Sequence, residues 1–276
     1  MKIVIKPTKG IHFFDLRELW YYRELIFFLT WRDIKVRYKQ TAIGVIWVIL
    51  QPLLMMAVFT LFFGKLAKIP SYDIPYPVFV FCGLLPWQLF TRTLTESTNS
   101  LVVNQRLITR IYFPRIIVPI STTLTAMVDF FIAFIFYVFL MAIFNIGFSP
   151  HIIWFPLFFI LLLITALGVG FWLSALNVEF RDVMYTIPFI TQFWLFITPV
   201  VYPSNMIPEH WRIIYGLNPM AGVVSGMRWS LIGVGKGPSI MLFVSIAISI
   251  VVFISGIAWF RWREKLFVDV IGSGGR

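Results

Sequence analysis

Long stretches without a single Asp, Glu, Lys or Arg run through this chain, and they constrain its fold more than any motif does. Residues 41–63 form one such stretch. As a helix it reaches about 35 Å, enough to cross a hydrocarbon core about 30 Å thick. Residues 74–91 form a shorter one, opened by Pro75 and Pro77 and interrupted by Pro86. Residues 116–148 hold one charge, Asp129, and residues 152–178, 183–208 and 238–260 hold none. A further run, 213–227, is short and broken by Gly216, Pro219 and Gly222, so it reads as re-entrant or interfacial. The chain is 59% hydrophobic and 13% charged, against roughly 45–50% and about 25% in soluble domains. In lipid every backbone polar group needs an internal partner, which these uninterrupted runs supply as helices. The expectation is an all-α integral membrane protein with six transmembrane helices.

The net charge of +11 lies in short segments between the apolar runs, the pattern of a membrane protein's cytoplasmic side and not of a nucleic-acid-binding face. With six spans both termini share a side. Eighteen Lys and Arg fall on that side and five on the other, which makes both termini cytoplasmic. Three parts are expected: residues 1–40 as a cytoplasmic amphipathic interface segment, 41–262 as the six-helix transmembrane domain, and 263–276 as a cytoplasmic tail. In the first part Leu16, Leu19, Trp20, Phe27, Trp31, Ile34 and Tyr38 fall within an arc of roughly 120°. Such a helix lies along the membrane surface, as a lipid anchor or as a contact for a partner. No compact apolar segment with a small-residue cleavage site opens the chain.

Several chemistries are missing. The lone Cys82, inside an apolar run, can form neither an intrachain disulfide nor a structural zinc site. No Gly-x-x-x-x-Gly-Lys-[Ser/Thr] occurs; Gly233-Val-Gly-Lys-Gly has Gly237 where the hydroxyl belongs. His12, His151 and His210 are isolated, with neither metal-ligand spacing nor a nucleophile partner. No metal site and no catalytic residues are expected. Asp129 is the one ionisable group well inside a span and must face the bundle or find partners, because a charge at a helix centre costs about 2.5–3.5 kcal/mol. One carboxylate is not a proton relay.

Two features remain. Residues 101–113, cut off by Pro114, have the apolar spacing of a short helix. Gln105, Arg106, Leu107, Ile108, Arg110 and Tyr112 give it a mixed basic and apolar surface for docking into another protein. In the fifth run Tyr185, Phe189, Phe193 and Phe196 are spaced 4, 4 and 3 and share one helix face. Together with Trp47 on the first run and Trp87 and Phe90 on the second, they are candidates for a translocation path. Aromatic rings offer flat apolar faces with little rotamer entropy, suited to sliding contact with sugar rings and lipid tails. The ordinary role of such residues is helix packing or lipid contact, and both readings stand at this point.

The strings Gly83-Leu-Leu-Pro-Trp-Gln-Leu-Phe90, Leu107-Ile-Thr-Arg-Ile-Tyr-Phe-Pro-Arg115, Leu176-Asn-Val-Glu-Phe-Arg-Asp-Val183, Pro199-Val-Val-Tyr-Pro203 and Leu217-Asn-Pro-Met220 occur in that order. Together they resemble the permease subunits of polysaccharide-exporting ABC transporters, over roughly residues 18–262. The resemblance implies a half-transporter of the inner membrane that pairs with a copy of itself and with two separate ATPase subunits. ATP would be bound by the partner, with no cofactor in this chain. The N-terminal helix and the 101–113 helix would contact the ATPase, and the broken segment before the last span would form extracytoplasmic gate helices. The cargo would be a lipid-linked glycan such as O-antigen, although the family's drug and haem exporters share the same span count and another amphiphile, a drug or a lipid, is the alternative. Two other classes make different predictions. A secondary transporter calls for internal symmetry and paired intramembrane charges, and a membrane-embedded glycan-modifying enzyme for a carboxylate or His constellation at one interface. Neither symmetry nor paired intramembrane charges is found, the enzyme reading has no positive support, and both classes stay open at this point.

Overall fold

The computed structural model describes residues 16–39, 44–235, 237 and 239–267. The expected boundary between residues 40 and 41, the basic residues before position 16, Lys236 and the end of the tail lie outside them. Every extended element among the described residues is helical: α1 (Leu16–Tyr21), α2 (Arg23–Lys39), α3 (Val45–Phe59), α4 (Tyr76–Val103), α5 (Gln105–Arg110), α6 (Ile117–Ile143), α7 (Phe155–Glu179), α8 (Val183–Ile197), α9 (Arg212–Gly216), α10 (Pro219–Ile232) and α11 (Ile240–Arg263). A π-helical stretch, Thr60–Leu66, prolongs α3. Proline sits in the first turn of α4, α7 and α10, where its missing N–H would have no helical partner. Asn218 caps α10, its side chain accepting from the Met220 N–H, and Gly233 ends that helix in the left-handed conformation.

Four helical stretches are long and apolar enough to cross a membrane: Val45–Leu66, Ile117–Ile143, Pro150–Glu179 and Ile240–Leu266. The other two expected spans differ in character. α8 has 15 residues, about 22 Å of helix. α4 has 28 residues but carries Arg92 and Glu96. Its charge-free run stops at Thr91 while the helix continues for three more turns, because those charges pair inside the protein instead of meeting lipid.

α4 is the central post. Residues Val78 to Trp87 are all buried, and α6 and α7 pack along it. Cys82 lies in this core. α7 also pairs closely with α11. A Cβ on Gly168 would stand 2.7 Å from the Phe253 Cα, so only glycine permits the approach. Thr165 and Trp172 of α7 hydrogen-bond Ser249 and Ser255 of α11 at 2.9 and 3.1 Å.

A second, smaller apolar cluster holds Leu29 of α2, Ile108 of α5 and Phe113 against Phe171, Phe260 and Phe267. This changes two expectations. The 101–113 helix is divided at Asn104, and only Gln105–Arg110 is helical beyond α4. The single apolar arc expected of the N-terminal segment is also divided. Of its residues Trp20, Phe27 and Trp31 point outward and Leu19 packs on the cluster, and Leu25, Ile26 and Leu29, which lie outside the expected arc, complete the inward side. The cause is sequence rich in apolar residues on both sides of α2, which packs on α6.

Candidate functional site

Three arrangements stand out, and the first is a cluster of charges where α2 crosses α4 and α6. Arg37 donates to Asp129 at 2.5 Å and to Glu96, and Arg92 donates to Glu96 at 3.1 Å. Arg92 also reaches Asp129 at 2.8 Å, and the Tyr38 hydroxyl donates to its other oxygen. The Asp129 side chain is 5% exposed. Burial, then the hydrogen bond to Asp129, raises the pKa of Tyr38 and keeps it a donor. Two guanidinium groups face two carboxylates, so the charges balance and the cluster clasps α2 to the bundle. Arg32 adds a bond to the Asn104 side chain at 2.9 Å, just beyond the end of α4. Asp129 thus has the partners its position required.

The second arrangement is the exposed face of α8, which packs on α4. Tyr185, Phe189, Phe193 and Phe196 are between 50% and 73% exposed, with the Phe189 and Phe193 rings 4.6 Å apart. Trp47 of α3 is exposed as well. Trp87 and Phe90 are not: both are buried, and Phe90 meets Trp194 of α8 edge-on at 5.0 Å. They seat α8 against α4 and do not share the open surface. What the sequence reading missed is on α4 itself. Gln88, Thr91, Arg92, Thr95 and Asn99 are half-buried or exposed and fall within an arc of about 100°. Gln88 and Arg92 line the same gap as Leu85, Leu89, Val48 and Phe130, and the rest of the arc lies between that gap and the flank carrying Trp87 and Phe90. The signal was available as the spacing 3, 1, 3, 4, but it shows only once the helix is continued past Thr91.

The third arrangement is a joint at the far end of α4. Arg228 of α10 is buried and donates to the carbonyls of Phe79 at 3.2 Å, Pro199 at 2.5 Å, Tyr202 at 3.4 Å, and Val200. Its guanidinium lies 3.8 Å from the Phe79 ring centre. The Tyr76 hydroxyl donates to Val201 O at 2.6 Å. A Cβ on Gly83 would collide with the Arg228 guanidinium. The Asn218 side chain also accepts from the Trp194 indole at 2.9 Å and donates to Thr198 at 3.0 Å. At the other end Asn177 donates to Thr98 O at 3.0 Å and accepts from the Met184 N–H at 3.1 Å, capping α8. The short sequence strings are therefore joints of the tertiary structure.

At the α5 corner Gln105, Arg106, Arg110, Ile111 and Tyr112 are exposed. Ile108 is 4% exposed and Leu107 packs on the second cluster. These two were expected on a docking face. They anchor the corner instead, because the break at Asn104 turns α5 so that its apolar side closes over Leu29 and Phe113. Among the described residues no group of three or more His, Cys, Asp or Glu is placed to hold a metal ion.

Residues 24–232 match the family described as ABC-2 type transporter. The chain is 28% identical over 263 residues to the O-antigen export system permease protein RfbA of Myxococcus xanthus, covering 93% of this chain and 98% of that one. It is 32% identical over 214 residues to the RfbA permease of Klebsiella pneumoniae, covering 76% and 81%. It is 25% identical over 242 residues to the polysialic acid transport protein KpsM of Escherichia coli, covering 85% and 91%. With about three-quarters of its length inside the matched region and transport-named relatives aligned over most of their own length, the chain belongs to the ABC-2 type transporter family and is a membrane transporter subunit.

Proposed function

We propose that this chain is the permease of an exporter that moves a lipid-linked, O-antigen-like polysaccharide across the inner membrane. The chain pairs with a copy of itself and with two ATPase subunits, which bind the ATP. The observation that carries the reading is the open surface of α8 and α4. A ladder of four exposed aromatic rings stands near a polar arc on a helix that is otherwise buried. Polar side chains on the exposed face of a membrane helix call for a water-filled path or a protein partner. Rings beside hydroxyl and amide groups suit a chain of sugars that must bind weakly and move on. The relatives' names as O-antigen and polysialic acid proteins support the cargo class.

In this reading α4 and α8 complete six spans, with both termini cytoplasmic and α1–α2 along the inner surface. α9 and α10 form the re-entrant extracytoplasmic segment. Gln105, Arg106, Arg110 and Tyr112 meet the ATPase, and Trp47 lies at the edge of the path. Replacing Phe189 and Phe193 together with Leu tests it. Apolar volume is nearly kept, but flat rings are lost. Surface glycan per permease molecule should fall several-fold, with lipid-linked glycan accumulating on the cytoplasmic leaflet and ATPase binding unchanged. Export at the parental rate would return the ladder to lipid contact.

A further inference from the structure

At the end of the bundle where α4 begins, a cleft opens between the loop before α4, the segment after α8, the α10 helix and the start of α11. It is separated from Glu96 by about 30 Å of helix, so it belongs neither to the charge cluster nor to the α5 corner. The cleft is open to solvent, and the space within it and its mouth together comes to about 550 Å³, bulk solvent included. Tyr72 and Trp229 contribute rings, and Ser204, Asn205, Arg212 and Ser225 contribute polar groups.

The lining is held in place. The Trp229 ring is stacked on His151 at 4.3 Å and meets Phe158 edge-on at 6.5 Å, lies beside Gly237, and lines the cleft. Arg212 is braced by Glu209 at 2.9 Å and by the Ile207 carbonyl at 3.3 Å. Tyr72 and Asp73 both have left-handed backbone, with φ of 56° and 63°, uncommon for residues other than glycine. The Ser225 hydroxyl is buried and has no hydrogen-bond partner among the described residues. A buried hydroxyl without a partner is a standing demand for one.

Rings with few rotamers beside a hydroxyl, an amide and a guanidinium match one ligand class. A pyranose lays its C–H face on an aromatic ring and offers its hydroxyls to polar groups around the rim. We propose that this cleft is an extracytoplasmic sugar subsite, which takes a pyranose ring of the exported glycan as it leaves the permease. The proposal rests on the glycan-export reading above and assigns it a second site, away from the α8 ladder.

The test places the photocrosslinker p-benzoylphenylalanine at Asn205 in cells that carry the whole transporter and export their glycan. A second strain carries it at Phe189 on the α8 ladder. Light should attach glycan to the permease at position 205 and produce a ladder of slow-migrating bands that disappears in cells unable to make the glycan. Trp229→Leu in the same chain should cut that product at least fivefold while permease level and capture at position 189 hold, and Trp229→Tyr should restore it. Ser225→Ala, a smaller change that spares the fold, should lower it by about half. Capture at 189 without capture at 205 overturns the cleft and leaves the export reading standing. Capture at neither position during normal export overturns both. A product at 205 that persists in glycan-deficient cells comes from a membrane glycolipid and overturns the assignment to cargo. Capture at 205 unaffected by Trp229→Leu and Ser225→Ala overturns the subsite.

Discussion

Two kinds of buried charge occur in this permease, and their partners separate their roles. Asp129 and Glu96 balance Arg37 and Arg92 across three helices, whereas the hydrogen-bond partners of Arg228 among the described residues are backbone carbonyls. Asp129→Ala leaves two half-buried guanidinium groups short of a partner, which costs about 1–3 kcal/mol. The expected outcome is release of α2, read as faster protease cleavage at Lys35 and Lys39 in membranes, with Asp129→Asn intermediate because an amide still accepts from Tyr38. Unchanged cleavage of the Ala variant would remove the clasp. Gly83→Ala sets two effects against each other. Alanine gains up to about 1 kcal/mol in a helix interior, but its methyl here enters the Arg228 guanidinium and stands 3.0 Å from Val200 O. Overpacking costs typically 1–3 kcal/mol, so the Tm of the purified permease should fall; a rise would mean that Arg228 moves aside freely.

Among the elements, α4 and α5 show why charge-free runs locate helices better than they bound them. Such runs report exposure to lipid, not continuity of backbone hydrogen bonding, so α4 ran on past Thr91 once Arg92 and Glu96 were paired internally. The 101–113 pattern marked apolar residues correctly but could not say which way they turn. Ile108 proves to be an anchor, while Arg106 and Arg110 remain exposed. The two classes should separate under mutation. Ile108→Asp, which buries a charge without a partner, should lower permease levels in the membrane together with ATPase capture. Arg106→Glu with Arg110→Glu should leave permease levels intact and reduce ATPase co-purification several-fold. Full co-purification by the double variant would move the coupling surface elsewhere.

Taken together, the helices place Pro70 and Asn205 at one end of the bundle and Thr109 and Arg181 at the other, all four exposed. With Cys82→Ala as background, single cysteines at these positions test the orientation drawn from the eighteen-to-five Lys and Arg asymmetry. A membrane-impermeant thiol reagent added to spheroplasts should label positions 70 and 205 and spare 109 and 181. Labelling at 109 would break the arrangement with both ends inside. The ladder of α8 and the outer face of α3 leave a broad apolar surface around the polar arc of α4, and a second copy of the chain is the proposed cover for part of it.

Some properties of this protein accumulate along the chain, and these the amino-acid order determined by itself. They include the membrane environment, the helical architecture, the missing phosphate loop and, through five short strings, the family. Each depends on local composition or on residues a few positions apart. Which charges meet, and which aromatic rings face outward, depended on helices far apart in sequence crossing one another. Arg37 and Asp129 lie 92 residues apart, and Arg228 and Phe79 lie 149 apart. Trp87 and Phe90 carry the same side-chain chemistry as Phe189 and Phe193, yet α8 packs over the first pair and leaves the second open. A helical wheel assigns a residue to a face; only the packed neighbours decide whether that face meets lipid, a path or the core.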